Sequence, residues 1–201
     1  MAEKQSEMTF IRGLHNLHSS DQRSVVTIGS FDGVHLGHQA ILEQVKLKAI
    51  ALNVPSVVMV FEPQPQEFFS GEKAPARLMR LREKVETLRE LGIDQVVCLQ
   101  FNSALRRLTA GEFVSRVLVN GLSTRYLIVG DDFRFGCDRS GDFAMLRKAG
   151  EHHDFEVQDT DTLEVDGQRV SSTLVRQVLS HDRSEEHTSE LQSHHDLVCR
   201  L

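Results

Sequence analysis

The chain has 201 residues, a formal charge of −6, 40% hydrophobic residues and 26% charged ones. That balance suits one globular domain, or one domain and a fragment, with enough apolar mass for a core. It excludes a global basic field for nucleic acid, and leaves open a local site for phosphate. No apolar run approaches the roughly 20 residues of a membrane span. The start, MAEKQSEMTF, lacks the basic-then-apolar order of a signal peptide. Three cysteines, Cys98, Cys137 and Cys199, stand at unrelated spacings, which argues against a disulfide framework and for a reducing, cytoplasmic setting.

In chain order, Ser24–Gly29 (SVVTIG) reads as a buried strand stopped by glycine. Leu36–Leu52 has helical period, with Ile41, Val45, Ala49 and Leu52 on one face. Ser56–Phe61 is a second strand, closed by Pro63 and Pro65. Leu78, Leu81, Val85 and Leu88 mark a helix face ending near Gly92. Gln95–Leu99 is a third strand. Thr109 and Glu112 form a capping-box pattern ahead of Phe113, Val114, Val117 and Leu118, and Gly121 is the stop. Tyr126–Val129 is a fourth strand, running into GDDFRFG. Asp142–Ala149 reads as a short helix and Phe155–Val157 as a short strand. Asp166-Gly167 signals a hairpin between 162–165 and 168–170. Ser172–Leu179 is the last helix. Strands that are apolar throughout, alternating with helices, predict a parallel sheet covered on both faces. Such sheets bind ligands at the carboxyl ends of their strands, where the unusual loops after Gly29, Phe61 and Val129 lie.

The first of those loops is TIGSFDGVHLGH. Gly29, Gly33 and Gly37 permit positive φ or close backbone approach. The following helix N-terminus offers free amides to an anion. His35 and His38 share one turn there and can donate to phosphate oxygens. The loop is neither a P-loop nor a dinucleotide fingerprint. His-x-Gly-His in a strand-to-helix turn is similar to the signature of the adenylyl- and cytidylyltransferase superfamily. Its chemistry needs alignment and charge neutralisation rather than a covalent intermediate, because an attacking phosphate is already ionised. A second phosphate cradle is predicted in VSSTLVR. There Ser171 or Ser172 caps the helix, and Thr173 and Arg176 share its start.

TIGSFDGVHLGH, VMVFEPQPQEFF, ARLMRLREK, VGDDFRFG and RVSSTLVRQVL, in that order over about residues 8–180, resemble one family. It is the adenylyltransferase half of the prokaryotic bifunctional riboflavin kinase/FMN adenylyltransferases, the FAD synthetases. The resemblance implies a Rossmann-like doubly wound α/β sheet of the nucleotidyltransferase superfamily. It implies the reaction of FMN with ATP to give FAD and pyrophosphate, with Mg²⁺ accompanying ATP and no metal ligand assigned to the chain. By position, His35, His38, Ser172, Thr173 and Arg176 would handle the ATP phosphates, with His35, His38 and Arg176 catalytic. Gly29, Ser30, Phe31, Asp32, Gly33 and Ser171 would complete the nucleotide pocket. Ser30 stands where the family more often has asparagine. Phe61, Glu62, Pro63, Asp132, Phe133 and Arg134 would line the flavin side. Loop phenylalanines Phe61, Phe68, Phe69, Phe133 and Phe135 could stack on an isoalloxazine or belong to the core. Of the adjacent Asp131 and Asp132, the second is the site candidate.

The family pattern stops near residue 182, and RSEEHTSELQS begins at Arg183. Residues 183–201 resemble a translated sequencing adapter and are expected to be a non-native, disordered tail to a 1–182 adenylyltransferase domain, with no riboflavin kinase domain following. His187, His194, His195 and Cys199 lack zinc-ligand spacing. Two other readings remain at this point: a His-x-Gly-His nucleotidyltransferase acting on a phosphopantetheine, nicotinamide or phosphocholine-like substrate, and a flavin- or nucleotide-binding module with little turnover. Expected partners are the small molecules ATP and FMN, with no nucleic acid and no membrane.

Overall fold

The structure is a computed structural model; it describes residues 8–17, 22–130, 132–160, 164–165, 168–169 and 171–181. Six strands form one sheet: β1 Thr9–Arg12, β2 Ser24–Ile28, β3 Ser56–Glu62, β4 Gln95–Gln100, β5 Thr124–Val129 and β6 Glu156–Asp159. Their order is β1-β4-β3-β2-β5-β6, and every pairing is parallel. The chain works outward from β2 in both directions, to β3 and β4 on one side and to β5 and β6 on the other. The strand order therefore reverses between β2 and β5, which puts the natural ligand crevice beyond their carboxyl ends. Among the described residues, no helix is long and apolar enough to cross a membrane.

Both faces of the sheet are apolar because alternate residues of each strand feed different cores. Val26, Ile28, Val57, Met59, Val97, Leu99, Leu127 and Val129 face one side. There they meet α5 Ala110–Phe113, the wider π-helical turn Val114–Val119 that continues it, and α6 Phe143–His153. Val58, Val60, Val96 and Cys98 face the other side, against Leu42 of α1 Leu36–Leu52 and Leu88 of α3 Leu81–Glu90. Val25, Tyr126 and Ile128 meet Val45 and Ala49 of α1 on that side. This two-sided demand is why the central strands read as continuous apolar runs.

Local signals fix the helix ends. The Thr109–Glu112 capping box forms as expected, with Glu112 N–H donating to Thr109 Oγ1 at 3.2 Å and Thr109 N–H to Glu112 Oε2 at 2.9 Å. Asp142 proves to be the N-cap of α6 rather than its first residue, accepting from Met145 N–H at 2.8 Å. α2 Pro65–Ser70 and α4 Ser103–Arg106 are short helices without an apolar period, and β1 is an exposed edge strand. None of the three carries a hydrophobic pattern to read. The predicted hairpin is present as β7 Glu164–Val165 and β8 Gln168–Arg169, an antiparallel pair. Its turn, Asp166-Gly167, lies outside the described residues, as do Asp131 and the segment 183–201. The last helix is α7 Ser172–His181.

Leu127 is fully buried on β5, and Leu47 on the outer side of α1 is 59% exposed. Leu127→Ala should cost about 2–5 kcal/mol through lost burial and the cavity left behind. Leu47→Ala should cost less than about 1 kcal/mol. Urea denaturation of the two variants measures this contrast; equal losses would contradict the assigned core.

Candidate functional site

The turn between β2 and α1 is forced into an unusual path. Phe31, Gly33 and Val34 all have positive φ, at 46°, 79° and 39°. Only glycine takes such values freely, so Phe31 and Val34 each carry strain on the order of 1–3 kcal/mol. Burial holds them: Val34 is 0% and Phe31 2% exposed. A side chain at Gly33 would also press on Leu78, with Cβ 3.1 Å from Leu78 Cδ1. The result is a tight loop delivering His35 to the N-cap of α1.

The two histidines act as one unit. His35 Nδ1 accepts from the His38 backbone N–H at 3.4 Å, capping the helix. A neutral imidazole accepting at Nδ1 carries its proton on Nε2, leaving that atom as a donor. The rings stack at 3.7 Å between centroids, and His38 also lies 4.9 Å from the Phe31 ring. Burial pushes His35 down from 6.5 to about 4, with the Asp32 charge pulling the other way. Burial, then His35, then Lys84 push His38 down from 6.5 to about 3. Both are therefore neutral at pH 7.

Asp32 is the anchor of the site. Its side chain is 1% exposed, and it accepts from Leu78 N–H at 3.1 and 3.2 Å and from Met79 N–H at 3.2 Å. Arg176 Nη2 donates to its Oδ2 at 2.5 Å. Arg176 Nε donates to Ala76 O at 2.8 Å, and Ser172 Oγ donates to Asp32 O at 3.1 Å. The second predicted cradle thus sits directly against the first. Ser171 is the helix cap, accepting from Leu174 N–H at 3.2 Å, and Thr173 is exposed. Asp32, predicted as part of the nucleotide pocket, devotes its carboxylate to holding Arg176 and the 76–79 segment.

A second ionic group flanks this one. Arg77 spans Glu62 and Glu67: its Nη2 lies 2.6 Å from Glu62 Oε1 and 2.6 Å from Glu67 Oε2, and its Nε also donates to Glu67. The Arg77 hydrogen bond holds the Glu67 carboxyl below its usual range. Under both groups lies Lys84, 3% exposed, donating from Nζ to Ser30 O at 2.5 Å. Burial lowers its pKa, while Asp32 and Glu62 oppose that shift. Among the described residues, no group of three or more His, Cys, Asp or Glu could hold a metal ion.

The predicted flavin-side residues divide. Phe61 packs edge-on against Phe101 at 5.8 Å, and Phe68 and Phe69 join the same cluster at 5.3 and 5.7 Å from Phe101. Phe69 is 60% exposed, with the Arg106 guanidinium 5.3 Å over its ring. Phe133 stacks on Phe135 at 5.7 Å, and Phe135 is a 6% exposed core residue packed on Phe113. Glu62 joins Pro63 through a cis peptide. Asp132 and Arg134 are exposed after β5, where a side chain at Gly130 would meet Asp132 Oδ1 at 2.7 Å. Lys84, Arg77, Glu67 and Phe101 were not anticipated. For Lys84 a signal existed: a lysine three residues after Leu81 and four before Leu88 falls on the helix's apolar stripe.

The FAD synthetase family profile matches residues 17–174. The chain is 54% identical over 173 residues to a bifunctional riboflavin kinase/FMN adenylyltransferase from Pseudomonas fluorescens, covering 86% of this chain and 55% of that protein. It is 50% identical to the protein of the same description from Escherichia coli K12, over 87% of this chain and 56% of the relative. For Haemophilus influenzae the identity is 46%, over 87% and 57%. The chain spans about half the length of these curated relatives. A crystal structure described as a macrolide-efflux protein from Streptococcus pneumoniae superposes with a TM-score of 0.72 at 25% identity, covering 85% of this chain and 57% of that one. With most of its length matched by the family profile and its site built from the motifs quoted above, the chain belongs to the FAD synthetase family.

Proposed function

We propose that the chain transfers the adenylyl group of ATP to the phosphate of FMN, giving FAD and pyrophosphate. The observation that carries this reading is the contact of the two cradles. Arg176 and Ser172 of α7 bond to Asp32, three residues before the first of two neutral, stacked histidines. A triphosphate lying there meets donors from both sides, at the carboxyl edge where the strand order reverses.

An oxygen of the FMN phosphate attacks the α-phosphorus of ATP; the bond from that phosphorus to the β-bridging oxygen breaks, and pyrophosphate leaves. The nucleophile is already ionised, since a phosphate monoester has a second pKa of about 6. Negative charge grows toward the leaving group. Arg176 meets it as a fixed cation, and the start of α1 adds its helix dipole. His35 and His38 contribute as neutral N–H donors. Mg²⁺ arriving with ATP would supply further counter-charge to the phosphates, and no residue of the chain is assigned to hold it. On the flavin side, Phe69 is the exposed ring suited to stacking, with Asp132 and Arg134 at the opposite lip. Free Cys98 and Cys137 suit a cytoplasmic setting.

The test is product analysis: the purified chain with FMN, ATP and Mg²⁺ should release one pyrophosphate per FAD formed. Saturation with FMN but no pyrophosphate would favour the binding-module reading instead. Arg176→Lys should lower kcat by roughly 10²–10³-fold, because a point charge cannot hold Asp32 and a phosphate at once. Lysine is the cleaner change, since alanine would leave buried Asp32 without its cation. Steady-state kinetics beside circular dichroism decides this; near-normal turnover would remove Arg176 from its role.

The histidines also set an acid dependence. Their folded values, about 4 and about 3, lie below the unfolded 6.5. The unfolded chain then binds more protons between those limits, so stability falls as pH drops from 6.5 toward 4 and is unaffected above 6.5. His35→Gln/His38→Gln should flatten that slope in urea melts across pH 4–7. An unchanged slope would mean the rings are not buried in neutral form.

A further inference from the structure

We propose that Lys84 is a positioning residue for the polyphosphate: its buried ammonium fixes the Ser30 carbonyl of the phosphate loop and cancels one carboxylate beneath the crevice. The proposal rests on the adenylyl-transfer reading of the site.

Lysine is almost never buried without a reason, and Lys84 is 3% exposed on α3. A helix with Leu81, Val85 and Leu88 on its inner side would take an apolar residue there without cost. Instead the position holds an ammonium whose hydrogen bond goes to Ser30 O at 2.5 Å. Ser30 begins the strained stretch that continues through Phe31, Gly33 and Val34. Fixing its carbonyl fixes the entry to that stretch, and so the placement of His35.

The charges supply the second argument. Three carboxylates line this floor, Asp32, Glu62 and Glu67, and three cations face them, Arg77, Lys84 and Arg176. Arg77 serves two of the carboxylates by itself. Asp32 has Arg176 and the Leu78 and Met79 amides. Every carboxylate is therefore paired without Lys84, so the pairing of a carboxylate does not account for its charge. Lys84 lies near enough to both groups to be felt by Asp32, Glu62, Glu67 and His38 alike. Without it, a triphosphate would approach a floor carrying one net negative charge.

The fold and the site respond to its removal to different degrees. Replacing Lys84 by an apolar side chain of similar length leaves every carboxylate paired and costs the fold only the bond to the Ser30 carbonyl. A unit charge acting across several ångströms of protein changes a binding equilibrium on the order of tenfold.

The experiment compares Lys84→Met, Lys84→Arg and Lys84→Gln with the wild-type chain. It reads melting temperature, calorimetric affinity for an ATP analogue with a methylene bridge between the α and β phosphates, and KM for ATP against kcat. Lys84→Met should stay folded, with a melting temperature lowered no further than loss of one hydrogen bond explains, and bind the analogue about tenfold more weakly, with KM raised in parallel. Lys84→Arg, which keeps the charge, should recover most of the affinity, and Lys84→Gln should not. Wild-type affinity in Lys84→Met and Lys84→Gln would overturn the proposal. Equal losses in the arginine and glutamine variants would overturn it too. If Lys84→Met fails to fold, the arginine–glutamine contrast alone decides. A wild-type chain that binds the analogue with this lysine dependence but makes no FAD supports the role of Lys84 while sinking the flavin reaction.

Discussion

A single buried carboxylate determines where the site can form. Asp32 is removed from water, which is costly for an ionised group unless its oxygens are filled. The fillers come from distant parts of the chain: the backbone amides of Leu78 and Met79, and the guanidinium of Arg176, 144 residues away. Three segments converge because one anion needs all of them. The sheet brings the β2 turn to the carboxyl edge, but α7 arrives there from beyond the β7–β8 hairpin, through Ser172 and Arg176. The fold thus supplies a ledge, and Asp32 recruits the arginine to it.

That arrangement divides the chemistry between permanent and neutral donors. Burial strips the histidines of charge, so they supply direction rather than potential. In the proposed reaction, potential comes from the side chains of Arg176, Arg77 and Lys84. Separating the two tasks suits a reaction whose nucleophile and leaving group are both phosphates. Alignment needs short-range donors at fixed points, while the accumulated negative charge needs cations that do not titrate.

The sequence announced the sheet wherever strands are buried on both faces, because two-sided burial writes continuous apolar runs such as SVVTI and SVVMVFE. It was silent on β1, whose edge position leaves Phe10 41% exposed and needs no such run. The two proposed cradles were legible because a phosphate site would draw on glycine, histidine, serine and arginine in short stretches of the chain. Their mutual contact was not, since Asp32 meets Arg176 and Ser172 across 140 or more residues of chain, and is filled besides by the Leu78 and Met79 amides, which have no residue type. Phe135 illustrates the opposite limit. Its motif placed it beside the flavin candidates, yet it is a core residue against Phe113. An aromatic side chain after a strand fits either role until packing is known.

Arg176 and Lys84 hold their charges in different ways. Arg176 gives Nε to the Ala76 carbonyl and Nη2 to Asp32, and in the proposed reaction Nη1 is the nitrogen that would meet a phosphate. The fork lets one residue be anchored and still present a donor, so little motion accompanies binding. Lys84 needs no such division. It lies buried against the loop, where one donor to the Ser30 carbonyl and a positive charge are what the position supplies. The two cations differ in depth, 22% exposed for the Arg176 side chain and 3% for Lys84, so the one that reaches solvent is anchored at two points and the buried one is held by burial and a single bond.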